Sequence, residues 1–176
     1  MTLTATTEPT PYGLMTIISS GRTVHVAAFD QPIDGLRAKL PSHLRAVEVR
    51  DDDSDAAAAL RAYLAGDVDA LDSVTVEQPG GEYHSAVWRV MRMIPPGTTV
   101  SYAELAARAG APRAVRAAAS ACARNAACLF VPCHRVVRSD GTLGGYFYGL
   151  DTKRRLLEHE SRHRGATAGP QVTTSA

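Results

Sequence analysis

The chain has 176 residues, enough for one ordinary domain or two small ones that share a core. With 45% hydrophobic residues and no apolar stretch near the roughly 18 residues of a membrane span, it reads as a soluble protein with no membrane partner. Its net charge of +1 hides an asymmetry: residues 1–100 carry 8 Lys+Arg against 13 Asp+Glu, and residues 101–176 carry 11 against 5. A basic half beside an acidic one is the footprint of a polyanion-binding surface confined to one part of the molecule, although chance placement of solvated charge gives the same totals.

Residues 1–11 lack the basic-then-apolar pattern of a secretion signal and read as a short disordered leader of a cytoplasmic protein. Tyr12–Ser19 and Thr23–Phe29 are β-rich runs separated by Ser20-Gly21-Arg22, a hairpin signal, and Val47-Glu48-Val49 offers a third strand. Ala56–Ala65, with Leu60, Tyr63 and Leu64 on one face, predicts a helix closed by Gly66. Val74–Gly81 reads as a linker, so the domain boundary falls there: residues 12–81 form an N-terminal α/β domain with its linker, and residues 82–164 a C-terminal domain. In the second half, Ser85–Ile94 has helical spacing with Ser85 as its cap. Ser101 and Glu104 spell a capping box for Tyr102–Ala109. Gly110-Ala111-Pro112 is a tight turn, and Arg113–Arg124 is a second helix, so the pair predicts a helix-turn-helix. Asp151 caps a last helix through about Arg162, and residues 165–176 read as a disordered tail.

The helix at 113–124 is nearly all small residues apart from Arg113, Arg116 and Arg124. Such a thin helix enters a narrow minor groove, or equally packs tightly on a neighbour; the pattern alone leaves both open. The three cysteines, Cys122, Cys128 and Cys133, are odd in number, lie close together and lack a CxxC pair, which argues against a disulfide framework and a zinc site. Cys133 stands out because His134 and Arg135 follow it directly, and both an imidazole and a guanidinium favour a thiolate. A histidine base needs an orienting acid; Glu160 on the last helix is the choice, with Glu158 in reserve.

These residues carry a resemblance. From about Glu82 to Glu160 the chain resembles the C-terminal domain of the O6-alkylguanine-DNA alkyltransferases, the methylated-DNA–protein-cysteine S-methyltransferases. The likeness lies in Val87-Trp88, Ile94-Pro95-Pro96-Gly97-Thr98, Val100-Ser101-Tyr102, Ala114-Val115-Arg116-Ala117, Arg124-Asn125 and Pro132-Cys133-His134-Arg135-Val136. Gly144-Gly145-Tyr146 and the Leu150–Glu160 helix complete it. The first 80 residues match loosely, through Pro11-Tyr12-Gly13-Leu14 and Tyr63-Leu64-x-Gly66.

The resemblance implies an α/β (α+β) fold: a small ribonuclease-H-like antiparallel sheet plus helix, then a helical winged helix-turn-helix domain. It implies direct reversal of DNA damage, with the alkyl group of O6-alkylguanine, and less so of O4-alkylthymine, passing irreversibly to Cys133. His134 would act on Cys133 through a water, held by Glu160, and Tyr102 would push the 3′ phosphate and protonate the leaving base at N3. Arg116 would fill the stack left by the flipped nucleotide, with Ala117, Ser120, Arg113 and Arg124 on the same DNA-binding surface. Asn125 would sit in the hinge, and Val136, Tyr146, Phe147 and Tyr148 would line the substrate pocket. No cofactor and no metal are expected; the partner is duplex DNA, met by a monomer, with cooperativity on DNA left open. Departures from the pattern also matter. Phe147-Tyr148 stands where many relatives have Ser-Gly or Gly-Gly, which should narrow the pocket and disfavour benzyl groups. Cys128 stands where relatives often carry proline, and so would sit at the pocket wall as a second thiol. The alternatives are a non-catalytic damage sensor or DNA-binding regulator on the same scaffold, and a cysteine hydrolase or thiol-redox protein.

Overall fold

The computed structural model describes residues 2–165; the tail call at 165–176 lies, beyond Gly165, outside the described residues. Three antiparallel strands, β1 (Leu3–Thr10), β2 (Gly13–Ser20) and β3 (Thr23–Phe29), form the centre of a five-stranded sheet. Short parallel strands close its edges, β4 (Val49–Asp51) beside β1 and β5 (Thr75–Val76) beside β3, in the order β4-β1-β2-β3-β5. The architecture is the mixed α/β fold the sequence implied.

Two expectations are corrected here. Residues 3–10 are not a disordered leader but a strand, because four β-branched threonines alternate with Leu3 and Ala5, which are buried. Residues 74–81 are not a free linker, because Thr75 and Val76 pair with Thr23 and Val24. The strand read at Val47–Val49 is β4, which begins two residues later, at Val49.

β2 and β3 are apolar on both faces, and each face meets its own core. Ile18, Val26 and Ala28 pack with Leu36, Leu40 and Leu44, from α1 (Ile33–Arg37) and the turns after it. Met15, Ile17, Val24, Ala27 and Phe29 face α2 (Asp55–Leu64) and a core that runs on through Trp88, Leu105, Phe130 and Leu156. The two halves of the chain therefore share one interior. The backbone adds to this join: Ala27 donates to Ala126 O at 2.8 Å and accepts from Cys128 N at 2.9 Å.

The second half is helical: α3 (Glu82–Arg92), α4 (Tyr102–Arg108), α5 (Val115–Ala123) and α6 (Leu150–His163). The capping box of α4 forms as read, with Ser101 and Glu104 satisfying each other's backbone N–H, a device worth about 1 kcal/mol. Other caps differ. Ser85 is inside α3, whose cap is Gly81, and Asp151 is inside α6, whose cap is Gly149. Arg113 and Ala114 stay in the turn, so α5 begins at Val115. α4, a turn containing Gly110, and α5 make the helix-turn-helix. Trp88 of α3 secures it from below by donating to Ala121 O at 2.8 Å. No helix of the described residues is long and apolar enough to cross a membrane.

Candidate active site

A two-stranded parallel sheet, β6 (Val100–Ser101) with β7 (Val136–Val137), sets the site. β6 runs directly into α4, and Cys133–Arg135 form a single 3₁₀ turn just before β7. That pairing places Tyr102, the first residue of α4, on the same cavity as Cys133. Gly144 completes the fit. With φ +71° it lies against the Tyr102 ring, where a Cβ would meet Tyr102 at 3.4 Å.

Asn125 follows α5 and is fixed on every side. Its Nδ2 donates to Val131 O at 2.7 Å and lies 3.4 Å from Cys133 Sγ. Its Oδ1 accepts from Gln78 Nε2 and from Ala127 N, both at 3.1 Å. Gln78, from the stretch first read as linker, also takes the Ala126 N–H at 2.6 Å. The segment at Asn125 and Ala126 is thus clamped by the first half of the chain.

His134 and Glu160 are both fully buried and meet at 2.7 Å through Nε2 and Oε1. With Nε2 donating to the carboxylate, a neutral imidazole carries its free lone pair on Nδ1, a buried atom with no partner among the described residues. Glu160 collects further donors: Arg135 Nε at 3.0 Å and Nη2 at 2.8 Å, Tyr63 OH at 2.9 Å and Gly97 N at 3.1 Å. Burial opposes ionisation of this carboxyl, but attraction to His134, its hydrogen bond, and Arg135 together outweigh it, so the carboxyl stays ionised far below the usual carboxylate range. Burial likewise pulls the His134 pKa down, against the opposing pull of Glu160. Glu158 is exposed and takes no part.

The cation near the thiol differs from the expected one. Arg135 turns away from Cys133, giving its Nε and Nη2 to Glu160 and its Nη1 to Ile94 O at 2.6 Å. Burial raises the Cys133 pKa, and the opposing influences are the Asn125 hydrogen bond and then Lys153. Lys153 is itself buried on α6 and holds the chain around the site: its ammonium donates to Val136 O at 2.7 Å, Gly145 O at 3.2 Å and Leu143 O.

Cys133 lies, partly exposed, in a cavity of about 300 Å³. Asn125, Tyr146, Phe147 and Tyr148 line it as expected; Val136 does not, being fully buried in β7. Cys122 and Cys128 also line it. Burial pushes Cys122 up to about 12 and Cys128 higher still, so neither competes as a thiolate. Phe147 is 76% exposed, with Lys39 of the segment after α1 over its ring at 5.8 Å.

α5 supplies Ala119, Cys122 and Ala123 to the wall of this cavity. At about 100° per residue, Arg116, Ala117 and Ser120 form the next sector of the helix, with Arg116 nearest the wall. Arg113, Arg116 and Arg124 are exposed and make no ion pair among the described residues. Sequence reasoning missed three supports: Tyr63, Lys153 and Gln78. For Lys153 a signal existed, since it falls on the inward face of α6 at helical spacing with Leu156 and Glu160. Gln78 and Tyr63 act across the fold and leave no local pattern.

Fold and site together define a protein with a thiol, a carboxylate-held histidine and a helix-turn-helix around one cavity. Residues 82–162 match the family model described as 6-O-methylguanine DNA methyltransferase, DNA binding domain. The chain is 36% identical over 162 residues to the methylated-DNA–protein-cysteine methyltransferase of Mycolicibacterium paratuberculosis, covering 92% of this chain and 94% of that one. It is 51% identical over 84 residues to the bifunctional transcriptional activator/DNA repair enzyme Ada of Escherichia coli, matching 24% of that longer protein. The crystal structure of Mycobacterium tuberculosis OGT in complex with DNA superposes with a TM-score of 0.73 at 31% identity, over 91% of this chain and 94% of that one. The chain belongs to the methylated-DNA–protein-cysteine methyltransferase family of DNA repair proteins.

Proposed function

We propose that the protein repairs duplex DNA directly, moving the alkyl group of O6-alkylguanine, and less readily of O4-alkylthymine, onto Cys133 once per molecule. The observation that carries this reading is the shared cavity: the thiol, Asn125 and Tyr102 line one space with α5 as a wall, and the residue after the thiol, His134, is held by buried Glu160. The free Nδ1 of His134 takes the Cys133 proton through a water. The sulfur attacks the sp³ carbon on O6; the S–C bond forms, the C–O bond breaks, and the electron pair stays with the purine. Tyr102 gives its proton to N3 of the departing guanine and is reprotonated, through water, by the proton that His134 releases. The purine proton moves from N3 to N1 in solvent, and the net products are a thioether and unmodified guanine with no co-reactant. Reversal would require the Cys133 thiolate to be expelled from an unactivated sp³ carbon, which makes the step irreversible.

A carbon inside the base stack is out of reach, so the nucleotide turns out into the cavity and Arg116 fills the gap. Ala117 and Ser120 let the helix approach the minor groove, and Arg113 and Arg124 hold phosphates. In this reading residues 82–164 carry the chemistry, and the chain before them, with β1 from Leu3 included, forms a buttressing domain. The protein acts as a monomer without cofactor or metal.

The test is titration with a duplex oligonucleotide bearing one O6-methylguanine, read by intact-protein mass. One methyl group is expected per molecule, on Cys133, and none on Cys133→Ala. An unmodified wild-type protein that still binds the oligonucleotide would favour a damage sensor instead.

A further inference from the structure

Glu160 Oε1 serves three side chains at once: His134 through Nε2 at 2.7 Å, Arg135 through Nη2 at 2.8 Å and Nε at 3.3 Å, and Tyr63 through its OH at 2.9 Å. Tyr63 belongs to α2, outside residues 82–162 that match the family model. Its placement is over-determined. The side chain is fully buried, its ring lies 5.1 Å from that of His159, and its carbonyl accepts from His159 Nε2 at 2.9 Å. One turn of α6 thus holds Tyr63 through His159 and uses it through Glu160. A phenol in an apolar core does not need a charged partner when a carbonyl suffices. A hydrogen bond to a charged acceptor is among the stronger interactions available to it.

We propose that Tyr63 is a positioning residue of the active site, its hydroxyl occupying part of Glu160 Oε1 so that the carboxylate orients His134 without capturing its proton. This rests on the role of His134 as base proposed above. A carboxylate that accepts fewer hydrogen bonds is more basic and binds the imidazolium more strongly, so His134 holds its proton to higher pH and is lost as a base over more of the acid range. The other charged groups acting on His134 are Arg135 and Lys153, which both disfavour its protonation, with Glu160 opposing them. Arg135 is anchored independently of Tyr63, by Nε on Glu160 Oε2 and Nη1 on Ile94 O, so removing the Tyr63 hydroxyl takes away one donor.

The test is Tyr63→Phe, which keeps the ring, read in two ways. The His134 ring protons, followed by NMR against pH, should titrate roughly half a unit higher than in the wild type. The acid limb of the Cys133 alkylation rate should move up with them, while the rate at high pH stays within about twofold. A rate lowered by one factor at every pH, with His134 titrating as before, would reduce Tyr63 to a packing residue and overturn the inference. Should Tyr63→Phe fold poorly, 3-fluorotyrosine placed at position 63 alone strengthens the donor, and His134 should then titrate lower; no movement overturns the inference equally. The NMR readout does not depend on alkyl transfer, so a failure of the proposed function and a failure of this inference are distinguishable.

Discussion

Two charged regions flank the cavity segment of this protein, one around Glu160 and one on α5, and they are built on opposite rules. Around Glu160 every charge is buried and committed: the carboxylate takes hydrogen bonds from His134, Arg135, Tyr63 and Gly97, at distances of 2.7 to 3.1 Å for its best contacts. On α5 and its flanks, Arg113, Arg116 and Arg124 are exposed and uncommitted among the described residues. Buried charge is stable only in one geometry, which suits a group that must aim a base. Exposed charge is held back for an external anion, and salt weakens it. Substitutions should therefore change fold, pH response and chemistry together in the first region, and DNA affinity alone in the second.

The largest effect is expected at Glu160. Glu160→Gln keeps the shape but leaves Arg135 buried without its counter-charge, a loss of about 3–5 kcal/mol for a broken buried pair. Alkyl transfer should fall at least about 100-fold, because the base loses its orienting partner. The sign of the pH effect follows from the lowered pKa. The stabilisation is complete above the ordinary carboxylate range and is lost as pH falls through the depressed folded-state value. Denaturant melts should show the gap between wild type and Glu160→Gln widest near neutral pH and closing in strong acid. A gap that grew on acidification would mean that the carboxyl is protonated in the native state.

The next effect tests the open face. Arg116→Ala should slow repair of duplex oligonucleotide by about tenfold, the scale of a lost contact of 1–3 kcal/mol, and leave reaction with free O6-methylguanine base unchanged. Equal losses on both substrates would place Arg116 in the chemistry and erase the contrast between the regions. Arg113→Ala and Arg124→Ala should weaken binding only a few-fold and each lower the slope of log affinity against log salt by about one.

How much of this the sequence disclosed follows the same division. Local signals held: the capping box at Ser101 and Glu104, the hairpin around Gly21, and the choice of Glu160 over Glu158 are all seen in the structure. Helical spacing separates the two acids in the structure, with Glu160 on the buried face of α6 beside Lys153 and Leu156, and Glu158 exposed. What failed was local reading of residues whose state is set from a distance. The first strand looked like a disordered leader because its polar threonines gain order only by pairing with β2 and β4. Arg135 looked like a neighbour of the thiol, but successive residues in a 3₁₀ turn point in different directions, and Glu160 on another helix claims its guanidinium. Tyr63 and Gln78 reach the site over 97 and 47 residues of chain, and no window of sequence contains both partners.

The smallest effects belong to the cavity mouth, which obeys neither rule. Phe147 is an apolar ring left in solvent, touching Tyr148 edge-on at 5.0 Å and Lys39 across its face. Tyr148 is fixed against Phe29 at 5.2 Å, so Phe147 is the movable part of the rim. A ring there costs little for a methyl group and obstructs a benzyl group. The wild type should react faster with O6-methylguanine than with O6-benzylguanine, and Phe147→Ala should raise the benzyl rate several-fold with the methyl rate little changed. Cys128→Ala serves as the companion: its thiol shares the cavity, but burial keeps it protonated, so methyl transfer should proceed at the wild-type rate. If instead Phe147→Ala slowed both substrates alike, the ring would be packing against the extruded base, and the mouth would belong with the committed region around Glu160 after all.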